Sequence, residues 1–279
     1  MKIINLILII LIIILYFNNN YCKYKENFKT KNLNIKLPKY LVTFVYFETE
    51  KSKINLDFFI KNAIFKNKDV LYNIIIKNKK YSVEIPKLSN INIIETDNDG
   101  YDFGGYSDSL QNINISEFDY FIFLNDTVRG PFTPNYIDKS IWYKYYTSLL
   151  NNKIKLVGST INHEIHKHVQ SMSFATDKIG LDILIKNNIF NKQKAINSIK
   201  ISKSHLIHNF EVMMSKIIID NGYDINSYQL SNNKKLVTGD IAYENGYFGT
   251  TINPIEIMFM KTNRFNNIKI LDNYTKWNM

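Results

Sequence analysis

NDGYDFGGYSDSLQNINISEFDYFIFLNDTVRGP, residues 98–131, sets out in order an acidic glycine-rich loop, a polar stretch with helical spacing, an apolar run from Phe118 to Leu124, and a second polar loop. The second loop holds Asn125, Asp126 and Thr127 and is followed by Arg129, Gly130 and Pro131. With an apolar strand ahead of it, the stretch reads as strand, loop, helix, strand, loop. In an open α/β sheet ligands lie beyond the carboxyl ends of the strands, so both polar loops are expected on one edge. Gly100, Gly104 and Gly105 would let backbone N–H groups approach a ligand, and a helix starting near Phe103 would turn its positive end toward phosphate. Asn98, Asp99 and Asp102 would line that ligand beside Gly100 and Gly104. Asn125 and Thr127 can orient its oxygens, and Arg129 can clamp a phosphate bidentately. Asp126, at the end of a buried strand, is placed to hold a divalent cation, Mn²⁺ or Mg²⁺, against a diphosphate.

Working outward, Tyr40 to Phe47 is a β-branched and aromatic run of the kind a buried strand needs, and Ile54 to Phe65 carries apolar residues at helical spacing. Val70 to Ile76 and Ile91 to Ile94 are further strands, each before a turn or helix. This alternation predicts an α/β fold with a mainly parallel central sheet and helices on both faces. Downstream, an aromatic helix is expected around Ile141 to Leu150, strands at Ile154 to Gly158 and Val169 to Ala175, and a helix capped by Asp177. A helix from Leu206 to Ile219 should end at Asn221-Gly222.

Composition narrows the function. A chain of 279 residues at 45% hydrophobic supports one sizeable core, so a single domain over residues 39–279 is expected. The net charge is +10, yet the cations are dispersed lysines with only Arg129 and Arg264 as arginines, which argues against nucleic acid as a partner. Cys22 is the only cysteine, excluding an intramolecular disulfide and a multi-cysteine zinc site.

Residues 1–20 form a hydrophobic segment expected to meet a membrane, and 21–38 a polar, lysine-rich tether. The apolar run is short for a spanning helix, but uncharged Asn18 to Asn20 can extend it. No small-residue cleavage site follows, so an uncleaved anchor is favoured over a signal peptide cleaved from a secreted protein. The lysines after the segment outnumber Lys2, which by the positive-inside rule favours a cytoplasmic body.

Taken together, N-D-G-Y-D-F-G-G-Y and L-N-D-T-V-R-G-P resemble the motifs N-x-G-x-D-F-G and L-N-D-S/T-x-x-G-P of the rhamnan-synthesis and lipopolysaccharide-type glycosyltransferase-like proteins. Later blocks run in the same order: K-L-V-G-S-T-I-N (155–162), H-V-Q-S-M (168–172), Glu211 and Ser215 ahead of Gly222-Tyr223, and N-P-x-E-x-x-F-x-K (253–261). The resemblance covers residues 40 to 264. It implies a GT-A-like fold, a nucleotide-sugar donor, a glycan or glycoconjugate acceptor and a divalent metal. Glu211, on a helix before an apolar face, is the candidate base for the acceptor hydroxyl. A non-catalytic glycan- or nucleotide-sugar-binding protein at a membrane surface is the alternative.

Other patterns carry less. Asp97, Asp99 and Asp102 imitate a calcium loop, but its glycine falls at the fourth place rather than the sixth and no Glu occupies the twelfth. His163, Glu164, His166 and His168 are dense, yet Lys167 breaks the His-Glu-x-x-His pattern. This region is read as a polar acceptor-side loop, with His168 and Gln170 facing substrate. His205 and His208 are expected at the surface.

Overall fold

Every residue of β1 (Tyr40–Tyr46) is buried, and the rest of the sheet is laid down on its two sides. The computed structural model describes residues 37–79, 81–230, 243–264 and 269–278. The expected anchor and nearly all of the tether lie outside the described residues; among those described, no helix is long and apolar enough to cross a membrane. Pro38–Met279 clusters as one compact unit.

β1 pairs in parallel with β2 (Val70–Lys77) on one side and β4 (Tyr120–Asn125) on the other. β3 (Ile91–Thr96) extends the sheet parallel to β2. Beyond β4 comes β6 (Ser173–Asp177), antiparallel to both β4 and β5 (Ile154–Gly158), and β7 (Asp224–Ser227) ends the sheet parallel to β5. The seven strands therefore run β3-β2-β1-β4-β6-β5-β7. The sheet is mostly parallel, as the alternation predicts, with β6 reversed. The reversal has a local cause: the chain leaving β5 forms a hairpin, Ile161–Asn162 against His168–Val169, in place of a helical crossover. The single strand expected over Val169 to Ala175 is thereby split at Gln170 to Met172.

Alternation of side chains places helices on both faces. Val42, Phe44 and Tyr46 pack with Leu56 and Phe59 of α1 (Glu50–Ala63) and with Trp142 and Tyr146 of a short helix. Leu41 and Val45 face Phe103, Tyr106 and Leu110 of α2 (Tyr101–Gln111). The same face receives Leu181 of α3 (Lys178–Lys186), Ala195 of α4 (Lys192–Ile201), and Met214 and Ile218 of α5 (Met213–Asp220). Full burial of each large apolar side chain here contributes about 1.5–3 kcal/mol. Asp177 caps α3, accepting from Gly180 N at 2.9 Å, and α5 ends at Asn221 and Gly222, whose φ is +84°. The helix expected over Ile141 to Leu150 shrinks to Trp142–Tyr146, because Trp142, Tyr143 and Tyr146 are all drawn into the core and fix where it stops.

β1 and β4 end together, Val45 opposite Asn125, and α2 starts shortly after the end of β3 on the same edge. Both polar loops meet there. A cavity of about 530 Å³ lies at the opposite, amino-terminal edge among Lys39, Lys66, Asp69, Asn90 and Glu117.

Candidate active site

The first loop turns on Gly100, which precedes α2 in the left-handed conformation (φ +68°) and offers no side-chain cap. The opening N–H groups of α2 are thus left without a capping side chain, an arrangement that favours anions. The helix begins at Tyr101, ahead of the expected start near Phe103. Gly104 needs correcting: its N–H donates to Gly100 O at 2.9 Å, so it is committed to the helix and not to a ligand. Its missing side chain serves packing, since a Cβ there would sit 2.0 Å from Asp99 O. Gly105 likewise lets α2 close on Val45, whose Cγ atoms would lie 2.7 Å from an added Cβ. Lys77, at the end of β2, steadies the loop by donating to Asp99 O at 3.4 Å and pairing with buried Asp108 at 3.6 Å. The Asp99 side chain is exposed and Asn98 half-buried.

The second loop is an Asx turn with an outward arm. Asn125 Oδ1 accepts from Thr127 N at 3.0 Å and Thr127 Oγ1 at 2.6 Å. Because that oxygen faces donors, the Asn125 amide nitrogen points the other way, and it donates to Asp102 Oδ2 at 2.7 Å. One bond thus joins the two loops across 23 positions of sequence. Asp126 turns toward the end of β1, where Oδ2 accepts from Phe47 N at 2.6 Å. Its backbone carbonyl accepts from Asn55 Nδ2 at 2.8 Å.

Arg129 lies beneath this loop, 1% exposed. Nε donates to Asn55 Oδ1 at 3.1 Å, and Nη1 donates to Asp272 at 3.0 Å and Thr275 at 2.9 Å on α6 (Lys269–Asn278). The expected phosphate clamp is a buried strut between α1, the loop and α6. Besides Lys77, whose charge acts on Asp102, a second cation that influences the site is Lys261. It pairs in register with Val128, and its charge acts on both Asp102 and Glu211.

Glu211 occupies a π-helical turn, Ile207–Val212, between Lys203–Leu206 and α5. Turns of this kind recur at functional sites because the extra residue re-aims a side chain. Glu211 Oε2 accepts from Ser171 N at 2.9 Å and also from the Ser171 hydroxyl, and Oε1 lies 3.5 Å from His168 Nε2. His168 and Gln170 are buried at 2% and 3%. Gln170 Oε1 accepts from Thr160 Oγ1 at 2.6 Å, and Val169 N donates to Ser215 Oγ at 2.9 Å, so this strand faces inward. The exposed residues of the hairpin are Glu164 to Lys167, and the expected display of His168 and Gln170 on a polar loop is corrected accordingly. His205 and His208 are at the surface, as expected.

The charges are uneven. Burial raises the Asp102 carboxyl, against its bond from Asn125 and the Lys261 charge. Burial, and then repulsion from Asp102, pushes Asp126 up to about 7. Burial also acts on Glu211, but His168, Ser171 and Lys261 together bring it below its usual range. Tyr106 reports the convergence: burial raises its hydroxyl, and the charges of Asp102, Asp126 and Glu211 raise it further. Lys261 and Ser171 went unassigned in the sequence, although both stand inside the recognised blocks. The lysine that closes N-P-x-E-x-x-F-x-K is the available signal.

One edge of the α/β sheet therefore gathers three carboxylates, the charge of Lys261 and an uncapped helix start. The chain belongs to the family described as Rhamnan synthesis protein F, which it matches over residues 73–273, a span that includes Asp102, Asn125, Asp126, His168, Glu211 and Lys261. Two curated proteins of Vibrio anguillarum, each described as Virulence protein VirA, are 33% identical to it over 127 residues. That match covers 43% of this chain and 36% of the relatives' length.

Proposed function

We propose that the protein is a GT-A-type glycosyltransferase that moves a sugar from a nucleotide-sugar donor to a glycan or glycoconjugate during polysaccharide synthesis. The observation that carries this reading is the 2.7 Å bond from Asn125 to Asp102, which unites the two loops beside Asp126, Glu211 and Lys261. The donor diphosphate would lie against the opening N–H groups of α2 and the Lys261 ammonium, between the Asn98–Asp102 and Asn125–Thr127 loops. Charge grows on that leaving group as the glycosidic bond breaks, so fixed positive groups lower the barrier. Glu211 would take the proton of the acceptor hydroxyl as its oxygen attacks the anomeric carbon, giving inversion by direct displacement.

A divalent cation fits the donor set. Asp126 is half-buried beside Asp102; burial, and then repulsion from Asp102, pushes it up to about 7, and a cation would relieve the repulsion. No cluster of three potential metal-holding side chains occurs among the described residues, so Asp126 would hold Mn²⁺ or Mg²⁺ with water and diphosphate oxygens completing the shell. Bound there, the cation would add positive charge at the departing diphosphate.

The test is to incubate the full chain with a panel of sugar nucleotides, including an activated rhamnose, with and without Mn²⁺, and to measure released nucleoside diphosphate. Release with one donor supports the transferase. Metal-independent binding with no release from any donor would point to the non-catalytic alternative. Attachment to a membrane through residues 1–20 is part of the proposal and rests on the sequence alone.

A further inference from the structure

Beside Glu211 stands a histidine whose hydrogens are assigned by its partners. His168 Nδ1 lies 2.6 Å from the backbone carbonyl of His166, and a carbonyl oxygen only accepts, so Nδ1 carries hydrogen. The other ring nitrogen, Nε2, faces Glu211 Oε1 at 3.5 Å, with the His168 side chain 3% exposed. A neutral ring with hydrogen on Nδ1 presents a lone pair at Nε2. Opposite a carboxylate that lone pair is repelled, and the contact tightens only when a further proton sits between the two atoms. Oε2 is already engaged by the N–H and hydroxyl of Ser171. Oε1 is the oxygen from which a proton can be handed on.

We propose that His168 and Glu211 form a proton-sharing dyad, in which the proton that Glu211 removes from the acceptor hydroxyl comes to rest on His168 Nε2. This rests on Glu211 being the base of the reaction proposed above. The step balances: the hydroxyl loses its proton to Oε1 as the oxygen bonds to the anomeric carbon, the sugar–diphosphate bond breaks with its electron pair on the leaving group, and the dyad goes from one negative charge to none. A carboxylate whose other oxygen already takes two hydrogen bonds from Ser171 is a weak base alone, and an imidazole at the end of the relay restores basicity near neutral pH. The pair then titrates as a unit rather than as separate residues. Among the described residues, the other ionisable groups that act on it are Lys261, Asp102 and Tyr106, whose hydroxyl donates to Ser171 O at 3.0 Å; Glu164, His166 and Lys167 lie on the exposed side of the hairpin.

The experiment is a pH titration of the full chain labelled with ¹⁵N-histidine, with His168→Gln used to assign the resonances. The expected result is hydrogen on Nδ1 in the neutral form and a His168 midpoint that falls by about one pH unit or more in Glu211→Gln. A neutral form with hydrogen on Nε2, or a midpoint that does not move, would overturn the dyad. If Glu211→Gln does not fold, Glu211→Asp keeps the charge and withdraws the oxygen; a lowered midpoint supports the dyad and an unchanged one overturns it. In turnover, His168→Gln should move the rise of rate with pH downward by about one unit and lower the plateau by about tenfold or more, with donor KM unchanged. An unmoved pH profile would remove His168 from the reaction. Should no donor release diphosphate while the midpoint shift is present, the transferase reading fails and the shared proton stands.

Discussion

Asp126 at the end of β4 and Glu211 in the π-turn are carboxylates of one site placed under opposite rules. Asp126 meets the Phe47 N–H at 2.6 Å, and its neighbour is another carboxylate, Asp102. Glu211 meets two donors of Ser171, the ring of His168 and the charge of Lys261. Burial raises both, yet Asp126 goes up to about 7 and Glu211 ends below its usual range. Depth therefore does not decide which carboxylate stays ionised; the number of donors and the sign of the neighbouring charge do. In the proposed reaction the first carboxylate would serve the cation and the second, helped by His168, the proton.

The largest effect expected from breaking this contrast is at Glu211. Glu211→Gln keeps the shape and removes the basicity, so diphosphate release should fall about 10²- to 10⁴-fold while nucleotide affinity, measured by calorimetry, survives. Melting should drop as well, by about 1–2 kcal/mol of stability, because Ser171 loses a charged acceptor. A variant keeping a tenth of wild-type release would place the base elsewhere.

Asp126→Asn attacks the other side. Donor affinity in Mn²⁺ should weaken about tenfold or more, and unchanged affinity would remove Asp126 from the metal site. The same substitution tests the charge balance without ligand. Folding raises the Asp126 carboxyl from 3.8 to about 7, so the folded state holds the proton more tightly. That contribution to stability is fully present below about 4 and is lost as pH rises through about 7. Asp126→Asn should therefore melt higher than wild type at pH 8, by roughly 1–3 kcal/mol of stability after allowing for solvent screening, and match it at pH 4. Equal melting at both values would show the carboxylate to be well solvated.

Lys261→Met should narrow the contrast. Both Asp102 and Glu211 lose the cation that lowers them, so the rise of rate with pH should move upward by about half to one unit. A profile that stays in place would separate Lys261 from the carboxylates. The smallest effect is expected at the amino terminus. Removal of residues 1–35 should leave soluble protein with the melting point of the Pro38–Met279 unit altered by no more than about 0.5 kcal/mol, checked by calorimetry and sedimentation. Aggregation or lost structure would tie that segment to the fold.

Local pattern was enough for the framework. Runs such as Tyr40–Tyr46 and Tyr120–Asn125 announce buried strands because only apolar, β-branched and aromatic side chains fill both faces of a central parallel strand. Asp177 reads as a cap because its carboxylate reaches Gly180 N three residues on, within the range of local sequence. The loops at 98–105 and 125–131 could be assigned to one sheet edge because strand direction follows from the alternation of elements.

What each polar side chain does was settled by partners far along the chain. Arg129 turns to Asp272, 143 positions away, and Glu211 meets Ser171 across 40; no periodicity within either segment encodes those meetings. His168 and Gln170 could be expected on a substrate-facing polar loop from the dense polar residues around them, yet both are buried with Val169 between them, because the hairpin packs against Ser215 and Thr160. Gly104 shows the same limit, since a glycine that frees an N–H for phosphate and one that lets Asp99 O approach a helix are identical in sequence. The π-turn that aims Glu211, the reach of Lys261 across the site and the split between the two carboxylates arise only when the elements pack, because each depends on distances between segments that the chain brings together by burying its core.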